Sequence, residues 1–178
     1  MKTFNVVITT TGRSTLQVMI DSIAPQLSSQ DYLTLIWDSP MDKNVIVTTD
    51  ATLINIENSV PLGFWGHGSR TKWQHHLPGD YLISGDDDDT FTSDAMEIIR
   101  GHCFEDKLYV FQMLSNENLI PRYHKIEFIN IGTPCGVYAP HDLPEWPTVY
   151  GGDFKFYEAL SSTRDVEFVD KVIYKVKK

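Results

Sequence analysis

Gly79-Asp80-Tyr81-Leu82-Ile83-Ser84-Gly85-Asp86-Asp87-Asp88-Asp89 is the stretch that decides the fold. A short apolar strand, Tyr81 to Ser84, runs straight into four consecutive aspartates, and Thr92 or Ser93 then caps a helix that continues to about Arg100. Adjacent carboxylates repel by about 1 kcal/mol per pair in water and about 4 kcal/mol near a protein surface. A chain lowers that cost by fraying the run into solvent, by raising pKa values, or by binding a divalent cation. Strand before and helix after place the acids at the carboxyl end of a strand, where open α/β sheets hold their ligands. Along an extended chain Asp86 and Asp88 point one way and Asp87 and Asp89 the other. Two carboxylates on one side suit Mg²⁺ or Mn²⁺ shared with substrate phosphates.

Upstream of this stretch, Phe4-Asn5-Val6-Val7-Ile8-Thr9 reads as a buried strand. A helix follows, with Ser14 as its N-cap, Leu16, Met19, Ile20, Ile23 and Leu27 at helical spacing, and Pro25 as a stop. Tyr32 to Trp37 is a second apolar strand ending at Asp38, and Leu53 to Ile56 a third. Strand, helix, strand with apolar strands predicts a largely parallel sheet covered by helices. Thr9 to Arg13 and Asp38 then share one sheet edge with the acids. An aspartate there accepts hydrogen bonds from a nucleobase or a sugar hydroxyl, or else caps the Asp38-Ser39-Pro40 turn. Residues 61–76 are rich in Gly and aromatics, and Ser69 to Leu77 has helical character. Arg70 and Lys72 either offset diphosphate charge or are ordinary surface cations.

Downstream of the acids, strands are expected at Leu108–Leu114 and Ile126–Ile131. A helix is expected over Asp153–Leu160, and an edge strand over Val166–Val176, whose lysines solubilise it. Trp65 and Trp73 read as core, lid or stacking residues. Trp146, between Pro144 and Pro147, is a candidate sugar platform for an acceptor. His75 and His76 are adjacent on a helix and read as surface residues.

The 178 residues carry 15 Lys plus Arg against 24 Asp plus Glu, a formal charge of −9, which disfavours nucleic acid as a partner. A hydrophobic content of 42% supports a packed core. There is no apolar run of about 18 residues for a membrane span, and the first 13 residues do not read as a signal peptide. Cys103 and Cys135 read as inert thiols, and a cytoplasmic setting is expected.

The order of these features resembles the nucleotide-sugar glycosyltransferases of the GT-A fold, family 2 type. The features are a strand plus Thr9-Thr10-Thr11-Gly12-Arg13, a strand plus Asp38, Pro61-Leu62-Gly63 with Arg70 downstream, and the Tyr81 strand plus the aspartates. The resemblance spans residues 4 to about 160. It implies one domain over 1–178, with a nucleotide-binding half to about residue 90 and an acceptor-binding half beyond. Asp38 is then expected at the base, with Thr10, Gly12, Arg13, Gly63, Arg70 and Asp87 around the donor. Asp86 would face ribose or metal, and Asp88 would hold Mn²⁺ or Mg²⁺ on the diphosphate. The donor is a nucleoside diphosphate sugar, UDP-linked first, and the acceptor a carbohydrate or other hydroxyl compound. The family carries a Glu-Asp pair before a late helix, and Gly152-Asp153 stands at that place here. Asp153 is thus either the base of an inverting transfer or the cap of its helix. Two other readings are a sugar-phosphate nucleotidyltransferase, which Thr9 to Arg13 fits poorly, and a non-enzymatic cation- or carbohydrate-binding module.

Overall fold

The computed structural model describes residues 1–39 and 44–177. Pro40 of the predicted turn and Lys178 lie outside the described residues. The chain begins with β1 (Phe4–Thr10), α1 (Leu16–Ile23), β2 (Tyr32–Trp37) and β3 (Thr52–Glu57). It continues through α2 (His67–Trp73), β4 (Tyr81–Asp86), β5 (Thr90–Phe91) and α3 (Ala95–Arg100). The remainder is β6 (Leu108–Ser115), β7 (Asn118–Ile120), β8 (Gly136–Tyr138), α4 (Gly152–Ser161) and β9 (Val166–Val176).

Among the described residues these strands form one sheet in the order β3-β2-β1-β4-β8-β6-β9-β5, with β7 paired to β6. The first four are mutually parallel. β8 is inserted antiparallel between β4 and β6, and β9 runs parallel to β6, so the sheet is mixed. The register sets Thr10 beside Trp37, and Thr9 beside Asp86. Asp38 extends the ladder by donating its N–H to the Thr10 carbonyl at 2.9 Å. The carboxyl ends of β1, β2 and β4 therefore meet at one place.

Leu16, Met19, Ile20 and Ile23 are all buried, a single helical face against the sheet, at about 1.5–3 kcal/mol for each side chain removed from water. Pro25 ends that helix as expected by opening a 3₁₀ turn over Ala24–Gln26. The cap of α1 is Thr15 and that of α3 is Asp94, neither through a side-chain hydrogen bond, in place of Ser14 and of Thr92 or Ser93. No strand forms over 126–131. Asn130 Nδ2 donates to the Lys125 carbonyl and its Oδ1 accepts from Arg122 N–H, which folds this segment into turns. The strand that pairs with β4 and β6 is β8 instead. β9 is an edge only over its first half, because the two-residue β5 covers its end. Trp146 is buried and stacks on Phe156 at 3.9 Å between ring centroids, so it is a core residue and no platform.

Asp31 ties the bottom of the sheet to α3. Its buried carboxylate accepts from Phe4 N–H at 3.0 Å and Ser28 N–H at 2.8 Å, and pairs with Arg100. Asp31→Ala orphans two backbone donors and one half-buried cation. Chemical denaturation is expected to register a loss of about 1–3 kcal/mol.

Candidate functional site

A cleft of about 230 Å³ opens where the three strand ends meet. Thr10, Arg13, Asp38 and Gly63 line it together with Asp86, Asp87 and Asp88. Gly12 is not on the wall. It donates its N–H to Thr10 Oγ1 at 2.9 Å and so fixes that hydroxyl, which donates to Asp87 at 2.6 Å.

The four aspartates do not simply alternate. The chain leaves β4 at Asp86 and turns, so the first three face one cleft. Asp86 is held by the Tyr174 hydroxyl, which accepts from its N–H at 2.8 Å, and pairs with Arg70 at 2.6 Å. Asp87 is buried and accepts from Thr10 and, at 3.1 Å, from Thr11 N–H. Asp88 is half-buried and pairs with Arg13. Asp89 is turned toward β9, where it accepts from Lys177 N–H at 2.8 Å. Burial, with Asp86 and Asp88 nearby, holds its carboxyl up at about 7 against the pull of that hydrogen bond.

Asp38 is a fastener of the next loop. Burial opposes its charge, but Ser69 Oγ at 2.7 Å, Leu62 N–H at 3.0 Å, Gly63 N–H at 2.8 Å and Asn58 Nδ2 at 3.2 Å outweigh it and hold the carboxyl below its ordinary range. The loop so fixed is left-handed over four successive residues, with φ of 64° at Gly63, 52° at Phe64, 53° at Trp65 and 82° at Gly66. A Cβ on Gly66 would stand 2.2 Å from Thr9 Oγ1, so glycine is required there on both counts. This turn lifts Trp65 onto the cleft wall.

Arg70 is not a free surface cation. It is 2% exposed and donates to the Trp65 carbonyl at 2.9 Å and the Gly85 carbonyl at 3.2 Å as well as to Asp86. Its Nε is the one buried side-chain polar atom without a partner among the described residues. Lys72 lies over the Trp73 ring, away from the cleft lining.

A second cleft of about 340 Å³ adjoins the first, and Trp65 and Asp86 line both. Asp153 stands in it, half-buried in the first turn of α4. The cap of that helix is Gly151, at φ 72°. Burial raises the Asp153 carboxyl above its ordinary range, against the 2.9 Å hydrogen bond from Phe154 N–H.

His67, which the sequence reading passed over, lines this cleft too. Its Nδ1 lies 3.0 Å from the Pro147 carbonyl, which can only accept, so Nδ1 carries the hydrogen. Burial and the neighbouring Arg70 lower its pKa, so the ring is neutral and Nε2 is a bare acceptor. Gly66-His67-Gly68 at the start of a helix is the only sequence signal for it. Phe128, Ile129, Thr133 and Tyr150 also line this wall without having been singled out from the sequence.

Asp86 and Asp88 offer a hard cation oxygen donors on one wall. Both now face guanidinium groups, and among the described residues no cluster of three or more His, Cys, Asp or Glu is arranged to hold a metal. That donor set fits a divalent ion that also takes ligands from a bound diphosphate and water. It does not fit an ion caged by protein. No helix among the described residues is long and apolar enough to cross a membrane.

No protein-family model matches the chain, and no curated protein matches it in sequence. Solved structures do match in fold. S. aureus TarS in complex with UDP-GlcNAc is 14% identical with a TM-score of 0.72, over 100% of this chain and 59% of that one. The complex of TarS with UDP gives 16% identity and a TM-score of 0.70 over 98% and 60%. Mannosyltransferase PcManGT from Pyrobaculum calidifontis, in complex with GDP-Man and Mn²⁺, is 13% identical with a TM-score of 0.69 over 97% and 56%. The chain thus spans less than two thirds of each of these proteins. At such identities the likeness is one of fold: this chain has the mixed α/β architecture, with its curled mixed sheet, on which those proteins bind their nucleotide sugars.

Proposed function

We propose that this chain is a GT-A-type glycosyltransferase domain. In this reading it moves a sugar from a nucleoside diphosphate sugar, UDP-linked in the first instance, to a hydroxyl acceptor with inversion. One observation carries the reading: two clefts share Asp86 and Trp65 as a common wall, one rimmed by acids at the strand ends and the other holding a half-buried carboxyl. A reaction that joins two substrates needs two adjoining sites with the reacting atoms at their border. The UDP, UDP-GlcNAc and GDP-Man in the structural neighbours lend support. Residues to about 90 form the donor half in this reading and those beyond form the acceptor half, with Trp65 and His67 crossing over.

Thr10, Arg13, Asp38, Gly63 and Asp87 surround the donor nucleotide, with Gly12 and Arg70 acting from behind the wall. Asp86 and Asp88 would hold Mn²⁺ or Mg²⁺, which would supply Lewis-acid neutralisation of the departing diphosphate. Asp153 accepts the acceptor's hydroxyl proton while that oxygen bonds to the anomeric carbon. The bond from that carbon to the phosphate oxygen breaks, and its electron pair leaves with the nucleoside diphosphate. Buried Cys103 and Cys135, neither in a disulfide, suit a reducing, cytoplasmic setting.

Calorimetric titration with UDP, GDP, dTDP and CMP, each with and without Mn²⁺, tests this. One diphosphate is expected to bind with a metal requirement, and Asp88→Asn to weaken it at least about tenfold, the loss of one charge-assisted contact. Metal binding without any nucleotide response would transfer the chain to the class of cation-binding modules.

A further inference from the structure

The second cleft is walled by rings that the fold exposes at a cost. Trp65 is 68% exposed, Tyr150 76% and Ile129 76%. Trp65 meets Tyr150 edge-on at 6.4 Å between centroids, Tyr150 meets Phe128 at 5.8 Å, and Phe128 meets Phe154 at 6.2 Å. The result is a continuous aromatic wall from the donor cleft to α4. Three of the apolar residues here or beside it, Phe64, Trp65 and Ile129, have φ between 52° and 61°, a left-handed conformation that side chains with a Cβ rarely adopt. Burial does not offset that strain, because all three stand in solvent. Strain carried by exposed side chains such as Trp65 and Ile129 on a cleft wall is of the kind that ligand clamps hold.

The polar groups that line the same cleft define the ligand further. Asp86 and Asp153 carry carboxylates, Thr133 a hydroxyl, and His67 presents a bare Nε2. Three of these four can only accept hydrogen bonds. Among the described residues no lysine or arginine lines this cleft.

Resting on the glycosyltransferase reading, we infer that the acceptor is a neutral pyranose, stacked by its C–H face on Tyr150 and Trp65, with its hydroxyls donating to Asp153, Asp86 and His67. A phosphorylated or otherwise anionic acceptor would face the Asp153 carboxylate with no lysine or arginine on the described cleft lining to offset it, since Arg70 is already committed to Asp86.

Saturation-transfer NMR and titration with methyl hexosides (gluco, galacto, manno and N-acetylglucosamine) and with the corresponding hexose 6-phosphates test the inference on the free protein. Neutral glycosides are expected to bind saturably and the 6-phosphates more weakly by at least about tenfold. Tyr150→Ala is expected to weaken the glycosides about tenfold, and Tyr150→Phe to retain them, since a stacking face and not the hydroxyl is at work. Tyr150 is an exposed side chain, so its truncation removes little from the core. Tighter binding of the 6-phosphates, neutral binding indifferent to Tyr150→Ala, or no saturable glycoside binding would each overturn the inference. The nucleotide titration above is a separate arm. A failure there overturns the donor reading, whereas nucleotide binding beside any of those three results overturns the acceptor class only.

Discussion

Asp153→Asn is expected to lower the rate of sugar transfer by about 10²–10⁴-fold while leaving nucleotide affinity unchanged, because a positioned general base contributes on that scale. The substitution is nearly isosteric. The amide oxygen can still accept from Phe154 N–H, as Asp153 Oδ1 does at 2.9 Å. The helix cap is unaffected, since Gly151 occupies that position. What is lost is the capacity to take a proton.

The raised pKa of Asp153 adds two checks with defined signs. The reactive form is the carboxylate, so activity falls about tenfold for each pH unit below its pKa. Burial sets the acid limb of the wild-type profile above the range of an exposed carboxyl near 4. For stability the sign is opposite. A carboxyl whose folded pKa lies above its unfolded value favours the fold at low pH and loses that contribution as pH rises through the folded pKa. At neutral pH the charge on Asp153 is therefore a burden, and the Asn variant is expected to melt at the same temperature or higher. Lost activity with retained stability identifies a functional group; lost stability with retained activity would reduce Asp153 to a helix residue.

The donor side of this molecule was the more legible in sequence, for a physical reason. Buried parallel strands are continuous apolar runs with abrupt polar ends, so Phe4–Thr10, Tyr32–Trp37 and Tyr81–Asp86 announce both themselves and the residues at their tips. Their register then brings Thr10, Asp38 and Asp86 together without further information. The acceptor side is built from turns and long-range contacts that leave no periodic trace. Ile126 to Ile131 has the composition of a strand, yet Asn130 bonds locally and the ladder goes to β8. His67 reaches the second cleft only because Pro147, 80 positions away, accepts its Nδ1–H. Gly152 illustrates the same limit. A Cβ there would lie 2.2 Å from the Pro147 carbonyl and 2.6 Å from His67 Nδ1, so the missing glutamate of the resembled motif has no room in this chain. Trp146 failed as a platform because a tryptophan flanked by prolines looks exposed until its partner, Phe156, is known.

Arg70→Met is expected to cost about 2–3 kcal/mol of stability, the scale for losing charge-assisted hydrogen bonds from a buried cation to a partly exposed carboxylate, and to abolish measurable nucleotide binding. Charge alone does not account for the size of the effect. The guanidinium joins two separate pieces of chain through three acceptors: Asp86 and the Gly85 carbonyl at the end of β4, and the Trp65 carbonyl in the left-handed turn. It also lies over the Trp146 ring at 5.4 Å, which connects this junction to the core beneath α4. Without it, Asp86 keeps only backbone anchorage through Tyr174, and the strained turn loses the donor that faces it. The shared wall of both clefts is made of Asp86 and Trp65, so both clefts deform together. Arg70→Lys is not expected to rescue: one ammonium restores the charge but cannot span three acceptors set out for a planar fork. Urea denaturation gives the stability term, and nucleotide titration of the folded fraction gives the binding term. Full nucleotide affinity in a folded Arg70→Lys protein would reduce Arg70 from an organiser of the site to a counter-charge for Asp86.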